Sequence, residues 1–109
     1  MVYVPERGDA VWLDFDPQAG HEQVSRRPAI VLSLASYNRK IGLAIVCPIT
    51  NQVKGYPFEV LIPQGLKVKG VILSDQARNL DWKARNLAPL TKLPTVVVEE
   101  VLKKLRTLL

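Results

Sequence analysis

The apolar residues of this chain come in short runs rich in β-branched side chains, each closed by proline, glycine or a polar cluster. Runs of that kind read as strands. Between Asp9 and Asp16, Val11, Leu13 and Phe15 alternate onto one face while Ala10, Trp12 and Asp14 take the other. Trp12 is too large to leave bare, so its face is expected to lie under a loop or a subunit partner. Residues 17–27 (PQAGHEQVSRR) form a polar loop. PAIVLSL, from Pro28 to Leu34, and LAIVCPI, from Leu43 to Ile49, are two further strands separated by the turn-like YNRKIG, and Pro48 places the second near an edge or a bulge. A loop from Asn51 to Pro57, a strand from Phe58 to Ile62 and a connection from Pro63 to Lys69 follow. Val71 to Ser74 begins a strand that DQARNLDW carries on through a bend, and residues 83–93 fit more than one state. Only the C-terminus departs from this rhythm. Behind Pro94, Thr95 can cap a helix that puts Val98, Val101, Leu102, Leu105 and Leu108 or Leu109 on one face, with Glu99/Lys103 and Glu100/Lys104 as favourable i,i+4 pairs. The expected architecture is mainly β: a small, strongly bent sheet or barrel with one C-terminal helix.

At 109 residues the chain has room for one domain, spanning 1–109. A domain of this size buries roughly two thirds of its unfolded surface, so an active surface is expected to be open or shared with a second copy. Hydrophobic residues make up 48% and charged residues 23%, which excludes a disordered polycation. The formal charge is +5, and its placement is uneven: residues 1–54 hold six basic and five acidic side chains, residues 55–109 nine and five. Such a surplus suits a polyanion or an acidic protein partner, and is also ordinary for a soluble surface. One Cys and one His rule out an internal disulfide and a zinc site built from those ligands, and Cys47 reads as a small core hydrophobe. No stretch approaches 18 apolar residues and the N-terminus lacks a signal pattern, so a cytoplasmic protein without membrane contact is expected. The sequence Asp14-x-Asp16 opens like a calcium loop, but Ala19 stands at the glycine position and Ser25 at the twelfth. Phosphate-binding glycine loops and HExxH are absent.

What remains are polar residues at strand ends. His21, Glu22 and Gln23 lie in the first loop, followed by Arg26 and Arg27. Pro28 pushes Arg27 into extended geometry, where a guanidinium can clamp a phosphate with paired hydrogen bonds. A solvated basic loop is the plainer reading. Thr50 ends the LAIVCPI run, where a hydroxyl reaches the sheet's end or simply caps a turn. Lys54, Tyr56 and Phe58 interleave charge with aromatic faces, a pattern that suits a single nucleic-acid strand. Asp75, Gln76 and Arg78 form a second polar cluster.

The segments GDAVWLDFDPQAGHEQ, RRPAIVLS, YN at 37 and 38, CPIT, KGYPFEV and SDQARNLDWKAR, in this order over roughly residues 3–87, resemble the MazF/PemK family of toxin endoribonucleases. The resemblance implies an SH3-like small β-barrel of the CcdB/MazF/PemK type with a C-terminal helix, acting as a homodimer. It implies cofactor-free, metal-independent cleavage of single-stranded RNA, and neutralisation by a cognate MazE-type antitoxin with an acidic disordered tail. Contact with DNA is implied only indirectly, through the antitoxin. The family's central Arg and Thr fall on Arg27 and Thr50, and the implied chemistry is attack of a ribose 2′-oxygen on the adjacent phosphate, leaving a 2′,3′-cyclic phosphate and a 5′-hydroxyl. Arg27 suits stabilisation of the anionic phosphorane, and Thr50 suits holding an oxygen by hydrogen bond. Glu22, His21 and Asp75 are candidate proton carriers, with Glu22 and His21 favoured as catalytic assistants. Lys54, Tyr56, Phe58, Asp75, Gln76 and Arg78 are expected to bind substrate, and no metal ligands are expected. One departure stands out: a branch of the family uses an Arg two residues before the Asp matching Asp75, and here that residue is Leu73. Two rivals share the architecture, a CcdB-like gyrase-binding toxin and a non-cleaving RNA-binding module.

Overall fold

The computed structural model describes residues 2–15 and 26–109. The elements run β1 (Asp9–Asp14), β2 (Arg26–Val31), α1 (Ala35–Ile41), β3 (Leu43–Thr50), β4 (Glu59–Leu61), β5 (Val71–Leu73), β6 (Arg78–Asp81), β7 (Ala88–Lys92) and α2 (Thr95–Arg106). One antiparallel sheet has the order β4-β5-β3-β2-β1-β7, with β6 also on β3. The edge strands β4 and β7 do not meet, so the sheet is barrel-like but open.

β3 carries the bend. Its first half, Leu43 to Val46, pairs with β6, whereas Ile49 and Thr50 pair with β5. Pro48 is therefore not at an edge. It is buried in the middle of the sheet, in the interval between these two partners, where a residue without an N–H leaves no donor unpaired.

Strand alternation divides the core in two. Ala10, Ile30, Cys47, Ile49 and Ile72 pack on one face, where α2 covers them with Val97, Val98 and Val101. Val11, Leu13, Phe15, Ala29, Val31, Ala44 and Val46 pack on the other with Leu80 and Trp82. Neighbours in sequence thus fall in opposite clusters, and because both faces are buried along the end of β2 and most of β3, those two strands read as nearly unbroken apolar runs. Cys47 is fully buried, as a core hydrophobe should be, and burial pushes its thiol up to about 12.

The segment expected as a turn after PAIVLSL is the helix α1. Asn38 decides it. Fully buried, its amide donates to the Pro5 carbonyl (2.8 Å) and the Ser33 carbonyl (3.2 Å), its side-chain oxygen accepts from the Ser33 hydroxyl, and its own carbonyl accepts from Trp82 Nε1. Asn is a poor helix former, so these tertiary bonds outweigh local preference. Gly42, at φ 81°, closes the helix. The ambiguous 83–93 stretch supplies β7, and β5 stops at Leu73 before a turn that restarts as β6. α2 begins as expected but is capped by Pro94 without a side-chain bond, so Thr95 is its first residue rather than its cap. Among the described residues no helix is long and apolar enough to cross a membrane.

Candidate nucleic-acid interface

The β2–β3 ladder pairs Val31 with Val46, Ile30 with Cys47 and Ala29 with Pro48. Two steps further in the same register, Arg27 and Thr50 stand at one level beyond the last paired residues. Both have the parity of the Val31/Val46 face, so they project to the same side of the sheet. Arg27 is exposed, its backbone fixed opposite Leu13 of β1. The Thr50 hydroxyl accepts from the Gln52 N–H (3.1 Å), the turn-capping role, and still has a proton to donate. On the same face Arg78, opposite Val46, sets its guanidinium 5.7 Å from the centre of the Phe15 ring.

The remaining candidates gather around the loop after β3. The Tyr56 hydroxyl donates to Asp75 Oδ1 (2.6 Å); that bond, with burial and the Asp75 charge, raises the phenol above its ordinary value. The Tyr56 and Phe58 rings are 6.4 Å apart and tilted by 56°, and the Phe58 carbonyl accepts from the Ser74 N–H. Lys54, Asp75 and Gln76 are exposed. Lys54, Tyr56, Phe58, Asp75 and Gln76 thus form one cluster, joined to Thr50 by chain continuity.

Glu22 and His21 lie outside the described residues. The end of β1 and the start of β2 are fixed by a cluster that the sequence does not single out. Asp14, buried, accepts from Asn86 Nδ2 (2.8 Å) and pairs with Arg26 (3.1 Å), while Arg26 and Arg85 donate to the Asn86, Asp14 and Phe15 carbonyls. The hydrogen bond from Asn86, then that from Arg26 and its charge, hold the Asp14 carboxyl below the usual carboxylate range against the opposing effect of burial. A carboxyl lowered on folding stabilises the protein above its unfolded value, and that contribution fades as pH falls through the lower folded value. Asp14→Asn is therefore expected to cost about 1–2 kcal/mol at pH 7. In urea denaturation across a pH series the gap to wild type should close below about pH 4; a gap that does not vary with pH would exclude this account.

Trp12 stays 37% exposed, so the described residues do not close over it. It opens instead on a cleft of about 390 Å³ lined by Pro28, Ile49, Leu90, Lys67 and Lys69. Among the described residues no three His, Cys, Asp or Glu side chains gather as a metal site. Two residues that the sequence does not single out touch the same region: the Glu59 carboxylate accepts from the Lys54 and Gly55 N–H groups, and Gly70 lies against the Thr50 carbonyl.

Residues 6–109 match the family model of the PemK-like, MazF-like toxins of type II toxin-antitoxin systems. The endoribonuclease toxin MazF of Escherichia coli K12 is 48% identical over 99 residues, covering 91% of this chain and 86% of that protein. The crystal structure of MazF from Deinococcus radiodurans is similar with a TM-score of 0.90 at 53% identity, covering 98% of this chain and 97% of that one. A MazE-MazF crystal structure from the same organism gives 0.88 at 47%, covering 98% and 96%.

Proposed function

Because this chain belongs to the PemK-like, MazF-like toxins of type II toxin-antitoxin systems, we propose that it is an endoribonuclease that cuts single-stranded RNA and is restrained by a cognate antitoxin. The observation that carries the reading is the placement of Arg27 and Thr50 at one level on one face of the sheet's end. An exposed guanidinium beside a hydroxyl suits the phosphodiester of a flexible strand. Attack of the ribose 2′-oxygen builds negative charge on two non-bridging phosphate oxygens, and Arg27, always charged, is shaped to hold both. Thr50 donates its remaining proton to one of these oxygens or to the nucleophile. Arg27 is too weak an acid to protonate the leaving 5′-oxygen, and on this proposal the proton steps go to Glu22 and His21. With Arg27 to offset the phosphorane charge and Glu22 and His21 to carry protons, each task has a side chain, and none is assigned to a metal ion.

Lys54 meets a backbone phosphate and Tyr56 and Phe58 offer faces to unstacked bases, with Asp75 and Gln76 beside them and Arg78 contributing its charge from the face shared with Arg27 and Thr50. A second copy of the chain is the fitting cover for Trp12, which makes the working unit a homodimer in the cytoplasm. The antitoxin, acidic and disordered in its tail, meets the excess of positive charge in residues 55–109 and competes there with RNA.

The test is incubation of the protein with a sequence-diverse RNA pool in the presence of a chelator. Discrete cuts bearing 2′,3′-cyclic phosphate and 5′-hydroxyl ends are expected, and mapping those ends reads the sequence preference. An intact pool, with inhibition of gyrase supercoiling in its place, would overturn the reading in favour of a gyrase poison.

A further inference from the structure

We propose that Glu59 is a positioning residue for RNA binding, whose carboxylate holds loop 51–57 in the shape that presents Lys54 and Tyr56 to the strand. The proposal rests on the nuclease reading for the identity of the ligand, and on geometry for the role.

The loop has little of its own to hold it. Residues 51–55 are exposed, so apolar packing does not define their conformation. Glu59 supplies what packing does not. Its Oε2 accepts from the Lys54 N–H (3.0 Å) and its Oε1 from the Gly55 N–H (2.8 Å). Gly55, at φ 80°, gives the turn that lets these successive donors converge on one carboxylate. Converging N–H groups form an anion cradle. Here the chain fills that cradle with its own side chain.

Glu59 is itself firmly placed. It opens β4 opposite Leu73 of β5, and its carbonyl, with that of Pro57, accepts from Lys104 of α2. Within the loop, Tyr56 is held as well, its hydroxyl donating to Asp75 and its carbonyl accepting from the Glu59 N–H (3.1 Å). A basic residue at 73 would face Glu59 across the strand pair and compete for the carboxylate, and Leu73 leaves it to the loop. Charge argues the same way. A carboxylate near a polyanion site repels the ligand, so its presence needs a compensating use, and both of its oxygens are engaged by backbone donors.

The test compares full-length wild type, Glu59→Ala and Glu59→Gln. Cleavage of a single-stranded RNA gives kcat and KM, anisotropy with a labelled 2′-deoxy oligonucleotide gives Kd without cleavage, and amide exchange follows the Lys54 and Gly55 N–H groups. Glu59→Ala is expected to raise KM and Kd about tenfold, with kcat within about twofold and exchange protection lost at both amides. Glu59→Gln, with one carbonyl oxygen in place of two acceptors, should raise KM about threefold. The KM-against-kcat split separates positioning from general loosening, which would lower kcat as well. KM and Kd within about twofold of wild type for Glu59→Ala, or a fall in kcat alone, would overturn the proposal. If wild type cuts no RNA, the nuclease reading fails separately, and Kd and amide exchange still decide the role of Glu59: an unchanged Kd in Glu59→Ala overturns it.

Discussion

Arg27→Ala is expected to lower kcat about 10²- to 10³-fold while KM changes by less than about fivefold. The asymmetry follows from where the charge is. In the ground state the phosphodiester carries one negative charge that Lys54 and Arg78 also attract, whereas on the proposed mechanism the phosphorane concentrates additional charge on the oxygens that the paired donors of Arg27 would grip. Removing an interaction stronger in the transition state lowers kcat; removing shared binding raises KM. Arg27→Lys should recover only part of the loss, because an ammonium keeps the charge but not the paired donor geometry. Steady-state kinetics on one oligonucleotide, beside urea denaturation of both variants, check this. An Arg27→Ala enzyme with kcat within tenfold of wild type would remove Arg27 from the chemistry. Loss of stability is not expected, since Arg27 is exposed and its backbone pairing with Leu13 does not depend on the side chain.

Gly70→Ala is expected to cost about 3 kcal/mol or more and, in whatever protein still folds, to depress cleavage by displacing Thr50. Gly70 has φ 108°, a region L-residues with a side chain rarely adopt. Its hydrogen also faces the backbone: a Cβ here would lie 2.1 Å from the Thr50 carbonyl oxygen and 2.8 Å from its carbonyl carbon. Neither atom belongs to a flexible side chain, so either β5 or the end of β3 must move. Gly65→Ala serves as the control, since it has a similar φ, 92°, but open space around it, and should lose only the conformational share, about 1 kcal/mol. Equal losses for both, measured by urea denaturation, would show that the contact with Thr50 contributes nothing.

Much of this architecture is legible in the sequence because it follows from alternation. Val11 and Leu13 face one way and Ala10 the other, so β1 declares its own type. Val98 and Val101 do the same for α2 at helical spacing. α1 was not legible, since Asn38 takes its bonds from Pro5, Ser33 and Trp82, the first and last of which are distant in sequence. The end of β3 is a similar case: Pro48 reads as a signal of an edge or a bulge, and only the pairing shows an interior break at which β6 gives way to β5.

The candidate site divides along the same line. Residue chemistry by itself offered Arg27, Thr50, Lys54, Tyr56, Phe58 and the Asp75 cluster as candidates beside plainer readings, and only the resemblance to the MazF/PemK family implied a central role for Arg27 and Thr50. It determined which groups could act. The tertiary structure decided which of them stand together: antiparallel register brings Arg27 level with Thr50, and the turn between β5 and β6 carries Asp75 to Tyr56. It also decided what holds them there, through Gly70 against the Thr50 carbonyl, Asp14 between Asn86 and Arg26, and Glu59 under the Lys54 and Gly55 amides. Local sequence specifies side-chain chemistry and the period of a strand. Contacts between residues far apart in the chain exist only once loop-closure entropy has been overcome by packing of the whole, so their geometry has no local signature to read.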